Sequence, residues 1–488
     1  MQPIIFEEHS SVLQEWKKRG IQGKTLIYLD AHIDVQLVSQ KRIEALEQCR
    51  TAAELAKLEK PHHTLPDMGY SYSIEDFLYP AYRLGMISRL IWVGPPPNDQ
   101  ENGEGKTPEE FMRMLESMEG VSLEDLSSFQ MVDNMLTGKL LGLDMVACQY
   151  TDLVNLELPA DSLIDIDIDY FVELPADEPW IDPQAVFTVL KQLPLTSDFV
   201  TLTRSVSSGY TPLRYRFFAD YLAALWQGDN QLSSHYSRLF NMDEKLRQGN
   251  TEAAREGCIQ ELEKFPECAA TYYLLSLIET NSQLVQSYQN KAGDLDVNFR
   301  HNVLRSICQL DSRELKFDEN NLKELENQLE TSETTPEELA ISHLMLGILS
   351  GKLGNFRQVF KHHQIYNQKM GNRHPKLDLI LGQLLLYAGY TQRATTFLQA
   401  ALEDEISAGH AHSLLGTIYA KQGNLKQACE HFLPVSELMP VLSPPVKVLA
   451  KIYRQMGDEE NYQAMSEKYR SLKMANLILS QKIAQSKH

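Results

Sequence analysis

Small residues recur at a regular interval in the second half of this 488-residue chain. Gly347, Gly382, Gly416 and Ala450 are separated by 35, 34 and 34 residues, and each is followed seven residues later by a glycine. Such a period is typical of helix–turn–helix repeats, because small residues are needed where paired helices touch. The recurrence therefore predicts an all-α solenoid, in which successive helix pairs stack side by side.

The unit around Gly416 also resembles the tetratricopeptide pattern. It runs Leu415-Gly416-x-x-Tyr419 and continues with Gly423, Ala428, Phe432 and Pro440. We expect a tetratricopeptide-like helical repeat domain over residues 229–488, beginning after the polar, turn-forming run at 227–231. Its concave groove would suit an extended peptide, and support of the first domain is an equally open role. A chain ended near Gln227 is expected to retain whatever site the first domain contains.

The first half contains two aspartate-rich clusters, each next to an apolar run. Asp30-Ala31-His32-Ile33-Asp34 follows the run Thr25–Leu29, and Asp165-Ile166-Asp167-Ile168-Asp169 continues the run that begins at Leu163. Short apolar runs predict buried strands, which gives an α/β domain with a mainly parallel sheet over residues 1–228. The expected strands include Thr25–Leu29, Leu90–Val93, Leu163–Ile168 and Phe199–Thr203, with a proline turn and a polar loop at 94–106 after the second.

Alternate residues of a strand point to the same face, so Asp30, His32 and Asp34 are expected to lie together, as are the three aspartates of the second cluster. Gathering carboxylates and an imidazole at strand ends is costly unless a cation neutralises them. A pair of divalent metal ions would do so, and this mix of donors suits Mn, Fe, Co or Zn better than Ca or Mg. His9, just after the short apolar run Pro3–Phe6, is a further candidate ligand.

The order of these motifs resembles the arginase and ureohydrolase superfamily. Over about residues 1–220, a divergent branch that includes peptide arginases is matched by Glu8-His9, Leu29-Asp30-x-His32-x-Asp34 and Asp167-Ile168-Asp169-Tyr170-Phe171. The resemblance implies two divalent ions, with Mn²⁺ as the first choice. It also implies that His9 and Asp34 hold one ion, that His32 and Asp169 hold the other, and that Asp30 and Asp167 bridge the two.

A second register stays open, in which Asp165 and Asp167 serve in place of Asp167 and Asp169. We prefer the later pair because it lies nearer the carboxyl end of the strand, where α/β sheets bind their ligands.

The resemblance further implies an activity, the conversion of arginine within a peptide to ornithine with release of urea. Two metal ions lower the pKa of a bound water and so provide a hydroxide for attack on the guanidinium carbon. The chain departs from ordinary arginases in two places, since no glutamate follows the strand Phe199–Thr203 and no histidine shortly follows Asp34. The remaining candidates for proton transfer and substrate contact are His62, His63 and Glu75.

Two other functions stay open. One is that of a related metal amidohydrolase acting on a guanidino or acylated small molecule, and the other is that of a tetratricopeptide adaptor with an inactive site. A net charge of −20 disfavours nucleic acid and anionic membranes as partners, and no apolar run is long enough to span a bilayer. The six scattered cysteines predict reduced thiols. We therefore expect a cytoplasmic enzyme whose substrate is a peptide containing arginine, held in part by the repeats; the oligomeric state is open.

Overall fold

The computed structural model describes residues 1–96, 108–173, 177–313, 315–332 and 334–485. Within these residues the strands are β1 (Gln2–Phe6), β2 (Lys24–Leu29), β3 (Ile87–Val93), β4 (Gln130–Val132), β5 (Met135–Leu140), β6 (Leu143–Cys148), β7 (Leu163–Asp167), β8 (Val172–Glu173), β9 (Glu178–Pro179) and β10 (Phe199–Thr203). Eight of these described strands form one sheet in the order β1-β10-β7-β2-β3-β6-β5-β4, and β8 pairs with β9 separately. The sheet is parallel from β1 to β6 in that order, and β5 and β4 extend it in antiparallel fashion.

The four strands expected from the sequence are all present, as β2, β3, β7 and β10. A parallel sheet is covered on both faces, so its strands are apolar throughout rather than alternating. Accordingly, every residue of β10 is buried, and so is every residue of β2 after Lys24. A mainly parallel α/β domain is therefore confirmed. Most of the expected loop, from residue 97 to residue 106, lies outside the described residues.

Helices precede, connect and follow the strands. In the first half they are α1 (Val12–Lys18), α2 (Gln40–Glu47), α3 (Ala52–Ala56), α4 (Leu78–Arg83), α5 (Pro108–Ser117), α6 (Leu123–Ser128), α7 (Pro183–Leu190) and α8 (Phe217–Gln227). The second half contains α9 (Asn230–Arg247), α10 (Thr251–Lys264), α11 (Ala269–Ile278), α12 (Ser282–Leu295), α13 (Val303–Ser312), α14 (Glu319–Thr331), α15 (Pro336–Lys352), α16 (Phe356–Met370), α17 (Pro375–Tyr387), α18 (Thr391–Ala400), α19 (Glu405–Lys421), α20 (Leu425–Leu438), α21 (Ser443–Met456) and α22 (Glu459–Gln485). None of the helices in the described part of the chain is both long enough and apolar enough to cross a membrane.

The recurring small residues lie where helices pack, as the 34-residue period predicts. The pairs α15/α16, α17/α18, α19/α20 and α21/α22 pack in succession. A Cβ atom on Gly416 would lie 2.9 Å from the Phe432 ring of the next helix, and one on Gly382 would lie 2.7 Å from Leu398. Between the helices of a pair the chain turns at a glycine with positive φ, for example +76° at Gly423. The prediction of tetratricopeptide-like repeats is confirmed.

The predicted boundary at residue 228 marks a change of architecture, but the hydrophobic core continues across it. Helix α8 ends at Gly228, whose φ is +72°, and Asp229 caps the start of α9. Nevertheless, Leu239 of α9 and Leu275 of α11 belong to the same buried cluster as Ile164 of the sheet. Because one core serves both parts, we now expect the first part to need the second in order to fold.

The end of the solenoid returns to the opposite edge of the sheet. Val441, Val446 and Leu472 are buried in one cluster with Leu140 and Met145 of the antiparallel strands. Helix α22 packs against α5, α6 and β4. The repeats therefore run from the β1 edge of the sheet, where α8 packs, to the β4 edge.

Candidate metal centre

The candidate metal ligands lie at one edge of the sheet, where the parallel strands end. Strands β1, β10, β7 and β2 are neighbours, and Phe6, Thr203 and Asp167 stand side by side at the ends of the first three. His9 follows β1 and Asp30 follows β2, so both reach the same edge. The carboxyl ends of parallel strands are the usual ligand-binding edge of α/β sheets.

His9 lies at the centre of a first group of ligands. Its Nδ1 is 3.0 Å from Asp30 Oδ2, 3.1 Å from Asp167 Oδ2 and 3.4 Å from Asp34 Oδ2. His9, Asp30 and Asp167 are buried, and their donor atoms lie within 4.8 Å of one another. These atoms are close enough together to bind one ion.

His32 forms a second group on the other side of Asp30. Its Nδ1 is 3.0 Å from Asp169 Oδ2 and 3.5 Å from Asp30 Oδ1. Asp30 therefore turns one carboxylate oxygen toward each group, which is the position that the resemblance assigns to a bridging ligand. Thus all six ligands predicted from the sequence come together at this edge of the sheet.

Asp165 contacts His9 from the opposite side of its ring. His9 Nε2 is 3.0 Å from Asp165 Oδ2, and Thr201 Oγ1 donates to Asp165 Oδ1 at 2.6 Å. A carboxylate in this place fixes the orientation of an imidazole whose other nitrogen binds a metal. The geometry thus favours the register with Asp167 and Asp169 as ligands, and it gives Asp165 the task of orienting His9.

Strand alternation groups Asp165 and Asp167, which both lie in β7 and both contact His9, but it does not group the other four residues. β2 ends at Leu29, so Asp30, His32 and Asp34 lie in an irregular segment, and Asp34 has a φ of +44°. β7 likewise ends at Asp167, and Asp169 follows in a short 3-10 helix. Side-chain hydrogen bonds stabilise both segments. The Asp30 carboxylate accepts from the His32 backbone N–H at 2.5 Å, and the Asp167 carboxylate accepts from that of Asp169 at 3.2 Å.

The cluster carries more negative charge than its own residues balance. Its aspartates are Asp30, Asp34, Asp165, Asp167 and Asp169, and among the described residues their ion-pair partners are His9 and His32. Burial and the charge of Asp30 raise the pKa of Asp34 to about 7, and burial with the charge of Asp167 raises the pKa of Asp169 well above its usual value. Carboxylates and imidazoles are suitable donors for Mn²⁺ and related ions. The residues present therefore fit a pair of divalent cations.

Two hydroxyl groups that the sequence argument missed also hold the cluster. Tyr28 is buried, and its hydroxyl donates to Asp30 Oδ2 at 2.5 Å and to Asp34 Oδ2 at 2.7 Å. Ser205, whose φ is +44°, donates through Oγ to Asp167. Tyr28 could have been noticed as the polar member of an apolar strand two residues before Asp30, whereas nothing in the sequence places Ser205 beside Asp167.

Several polar and aromatic side chains lie beside His32. The side chains of His32 and Glu75 are 37% and 39% exposed. The Tyr210 ring lies 4.8 Å from the His32 ring and 6.3 Å from that of His63. His63 Nε2 is 3.6 Å from Glu75 Oε1. Two of the three residues predicted for proton transfer or substrate contact, His63 and Glu75, thus lie near His32.

The structure does not bring His62 to the metal ligands. Its Nδ1 is 2.7 Å from Thr64 Oγ1, and its Nε2 is 3.4 Å from Cys308 Sγ on α13. Leu65, three residues later, belongs to the buried cluster of α13 to α17. His62 therefore joins the segment between α3 and α4 to the repeats.

Glu8 is a further carboxylate near the metal ligands that the sequence argument gave no role. It is partly exposed, and burial raises its pKa to about 8 against the opposing influence of the Ser208 hydroxyl. Asp167 is among the charges that influence the pKa of Glu8. Across the described residues, no lysine or arginine lies within ion-pair distance of Glu8, whereas the charges of Lys60 and Lys376 reach Glu75.

The contact of the segment between α3 and α4 with the repeats predicts a pH-dependent stability. His374 is 1% exposed, its Nε2 donates to the Thr64 carbonyl at 2.9 Å, and burial lowers its pKa from 6.5 to about 3. Between pH 6.5 and about pH 3, His374 therefore binds a proton in the unfolded chain but not in the folded chain. The free energy of unfolding should fall as the pH drops through this window, by at most about 1.4 kcal/mol per pH unit.

Thermal melts at about pH 7 and about pH 5 would measure this effect, since linkage ties proton uptake to unfolding. We expect a smaller loss of melting temperature in His374→Gln than in the unaltered protein. His301→Gln, at an exposed position of the solenoid, should show the full loss. An equal loss of melting temperature in all three proteins would contradict the assignment of the pH dependence to His374.

Solved structures of other proteins are similar to the helical part of this chain. The chain matches no protein-family model, and no curated protein matches it. Similar solved structures include YrrB, described as a TPR protein with an unusual peptide-binding site, at 16% identity over 46% of this chain and 99% of that one, with a TM-score of 0.24. PilF of Pseudomonas aeruginosa is 17% identical over 47% of this chain and 98% of its own, with a TM-score of 0.25. PilW, a type IV pilus biogenesis factor, is 15% identical over 53% and 100%, with a TM-score of 0.24.

The tetratricopeptide-like repeats are seen in the successive helix pairs themselves. In its described residues, this chain joins a mostly parallel eight-stranded sheet to a tetratricopeptide-like solenoid.

Proposed function

We propose that this protein is a binuclear metal hydrolase that converts arginine residues within a peptide to ornithine and urea. The main support is the pair of ligand groups that share Asp30, one formed with His9 and Asp167 and the other with His32 and Asp169. Two adjacent groups with a common carboxylate are what a two-metal site requires. In this proposal the sheet domain is arginase-like, and Mn²⁺ is the first choice of metal.

The proposed reaction is a hydrolysis of the guanidinium group. Oxygen from water adds to the guanidinium carbon, the bond from that carbon to the side-chain nitrogen breaks, and this nitrogen gains a proton to leave as the ornithine amine. Two divalent ions held by the six ligands would supply a nucleophilic water at neutral pH by lowering its pKa.

The residues around the ligands have two tasks in this proposal. Tyr28, Asp165 and Ser205 keep the ligands in place through hydrogen bonds. His63 and Glu75 lie side by side near His32, where they can carry a proton between water and the leaving amine. Burial lowers the pKa of His63 to about 3, so its ring is neutral near neutral pH, and burial raises the pKa of Glu75.

Glu8 is the residue we assign to the substrate cation. A guanidinium forms strong, paired hydrogen bonds with a carboxylate. Glu8 lies near Asp167 and, in the described part of the chain, has no basic side chain paired with it. Its pKa of about 8 keeps it mostly protonated near neutral pH while the site is empty, and a bound guanidinium would lower that pKa and stabilise the carboxylate. Glu8 would replace the glutamate that ordinary arginases have after a late strand.

A cleft near the metal centre offers space for the rest of a peptide. It has a volume of about 780 Å³ and is lined by residues of α11, α12 and α13 together with Pro212 and Leu213. Pro212 follows two residues after Tyr210, whose ring contacts His32. Two residues of extended chain span about 7 Å, so the cleft begins close to the site. The lining of the cleft includes Arg214, Arg300, Arg305 and Arg313, so it offers space for a neutral or acidic part of a peptide beyond the reacting arginine.

The direct test incubates the full chain with Mn²⁺ and a peptide that contains arginine. Hydrolysis should lower the peptide mass by about 42 Da and release one urea for each arginine lost. A peptide with lysine in place of arginine is the control and should not change. Free arginine and small guanidino compounds are tested in parallel, and turnover of these without turnover of the peptide would favour the second candidate, a small-molecule amidohydrolase.

Glu8→Gln should chiefly weaken substrate binding. Losing a hydrogen bond to a charged group costs about 1.5–3 kcal/mol, so KM for the peptide should rise about 10–100-fold. Glu75→Gln should instead lower kcat and alter its pH profile, because it removes a proton carrier. Bound metal, measured in both variants, should remain near two ions per chain. A Glu8→Gln enzyme with unchanged KM would contradict the assignment of Glu8.

A further inference from the structure

A second cluster of metal-binding side chains lies within the repeat domain. Glu326 on α14, His343 on α15 and His362 on α16 are 8%, 8% and 3% exposed. One donor atom from each lies within 4.8 Å of the other two. Three consecutive helices thus direct one carboxylate and two imidazoles to a single buried point.

The spacing of the two imidazole nitrogens suits a tetrahedral ion. His343 Nδ1 and His362 Nδ1 are 3.1 Å apart. Zinc binds histidine nitrogen at about 2.0–2.1 Å, so two such nitrogens at the tetrahedral angle stand about 3.3 Å apart. A small movement of either ring would provide this separation.

The charges around the cluster also permit a cation. Burial lowers the pKa values of His343 and His362, so both rings are neutral near pH 7 and can offer a lone pair. Glu326 is paired with Lys361 at 2.6 Å, but the Lys361 side chain is 47% exposed. An ion pair so exposed to solvent contributes little to stability. Lys361 can therefore move away from Glu326, or it can stay hydrogen-bonded to the carboxylate while the carboxylate binds the ion.

We propose that Glu326, His343 and His362 bind one ion of the zinc class, with water completing its coordination. Two imidazoles and one carboxylate are a known ligand set for zinc. The ion would tie α14, α15 and α16 together. On the same helix as His343, Met345 contacts Thr64 of the segment between α3 and α4.

The chain contains a matched pair that lacks the carboxylate. His412 and His431 lie 69 residues after His343 and His362, two repeat periods later. Their Nδ1 atoms are 2.9 Å apart, so the contact between histidines is a feature of the repeat itself. Among the described residues, no third donor joins this later pair within the same distance. Glu326 is what distinguishes the proposed site.

The test measures zinc binding by the full chain after chelator treatment and saturation with Mn²⁺. We expect one tightly bound Zn²⁺ per chain beyond the ions of the metal centre, and Co²⁺ in its place should give visible absorption bands of a tetrahedral site. Glu326→Gln and His362→Gln should each lose that equivalent and the Co²⁺ bands. His431→Gln should retain the bound Zn²⁺ and the Co²⁺ absorption bands.

Circular dichroism of each variant in chelator establishes that the repeats stay folded. Zn²⁺ should raise the melting temperature of the unaltered protein and of His431→Gln, but not that of Glu326→Gln or His362→Gln. Unchanged zinc stoichiometry in Glu326→Gln and His362→Gln would overturn the proposal, and so would the absence of a zinc equivalent in the unaltered protein. These measurements do not involve hydrolysis, so the result is independent of the proposed activity.

Discussion

Asp167→Asn and Asp169→Asn are each expected to abolish hydrolysis and to reduce bound Mn²⁺ from two ions per chain. Asp167 belongs to the ligand group of His9, and Asp169 belongs to that of His32. Asparagine keeps the shape of the side chain but removes the negative charge that would hold the ion, and without the ion no water with a lowered pKa is supplied. Elemental analysis and the peptide mass assay measure the two effects separately.

Asp165→Asn is the matched control, because Asp165 lies two residues before Asp167 in the same strand. Because Asp165 contacts the His9 nitrogen that faces away from Asp30 and Asp167, its loss should weaken metal affinity by about 10–100-fold rather than abolish binding. High Mn²⁺ should therefore restore activity in Asp165→Asn alone. If Asp165→Asn lost its metal while Asp169→Asn kept both ions, the earlier register would be the right one.

A chain ended after Gly228 is expected not to fold. Truncation would remove Leu239, Met242, Cys258 and Leu275, which share the buried cluster of Ile164. Burying each large apolar side chain contributes about 1.5–3 kcal/mol, so losing several of these partners costs an amount comparable to the roughly 5–15 kcal/mol by which a domain is stable. We expect aggregation, no cooperative thermal transition and no Mn²⁺ binding.

Co-production of residues 1–228 and 229–488 as separate chains is the control for this truncation. If the shared core is the reason for failure, the two pieces should assemble into a folded complex that binds Mn²⁺. A fragment of residues 1–228 that melts cooperatively and binds two ions by itself would show that the domains are independent, as the sequence alone suggests.

The position of the repeats bears on how a substrate reaches the site. His62, Thr64 and Leu65 pack against α13 and α15, so the segment that carries His63 is held by the repeats. A peptide in the neighbouring cleft would contact the repeats and the metal centre together. The two roles that the sequence leaves open for the solenoid, support and peptide binding, are therefore compatible.

The sequence by itself determined the elements of this protein. The period of Gly347, Gly382 and Gly416 predicted the helix pairs. Two helices that pack too closely to admit a Cβ need a glycine at the contact, and that glycine can be read in the sequence. Continuous apolar runs gave β2, β3, β7 and β10, because burial on both faces imposes them. The six ligand candidates could be found for a similar reason, since polar residues directly after buried strands are exceptional.

Only the tertiary structure decided how these elements meet. The turn at Asp34 and the short helix at Asp169, rather than strand alternation, complete the ligand groups. The roles of Asp165, Tyr28 and Ser205 depend on distances between residues far apart in sequence, and so does the shared core across Gly228. Hydrophobic patterning records that a face is buried but not which surface buries it. The sequence therefore predicted two parts, and their packing around one cleft could be seen only in three dimensions.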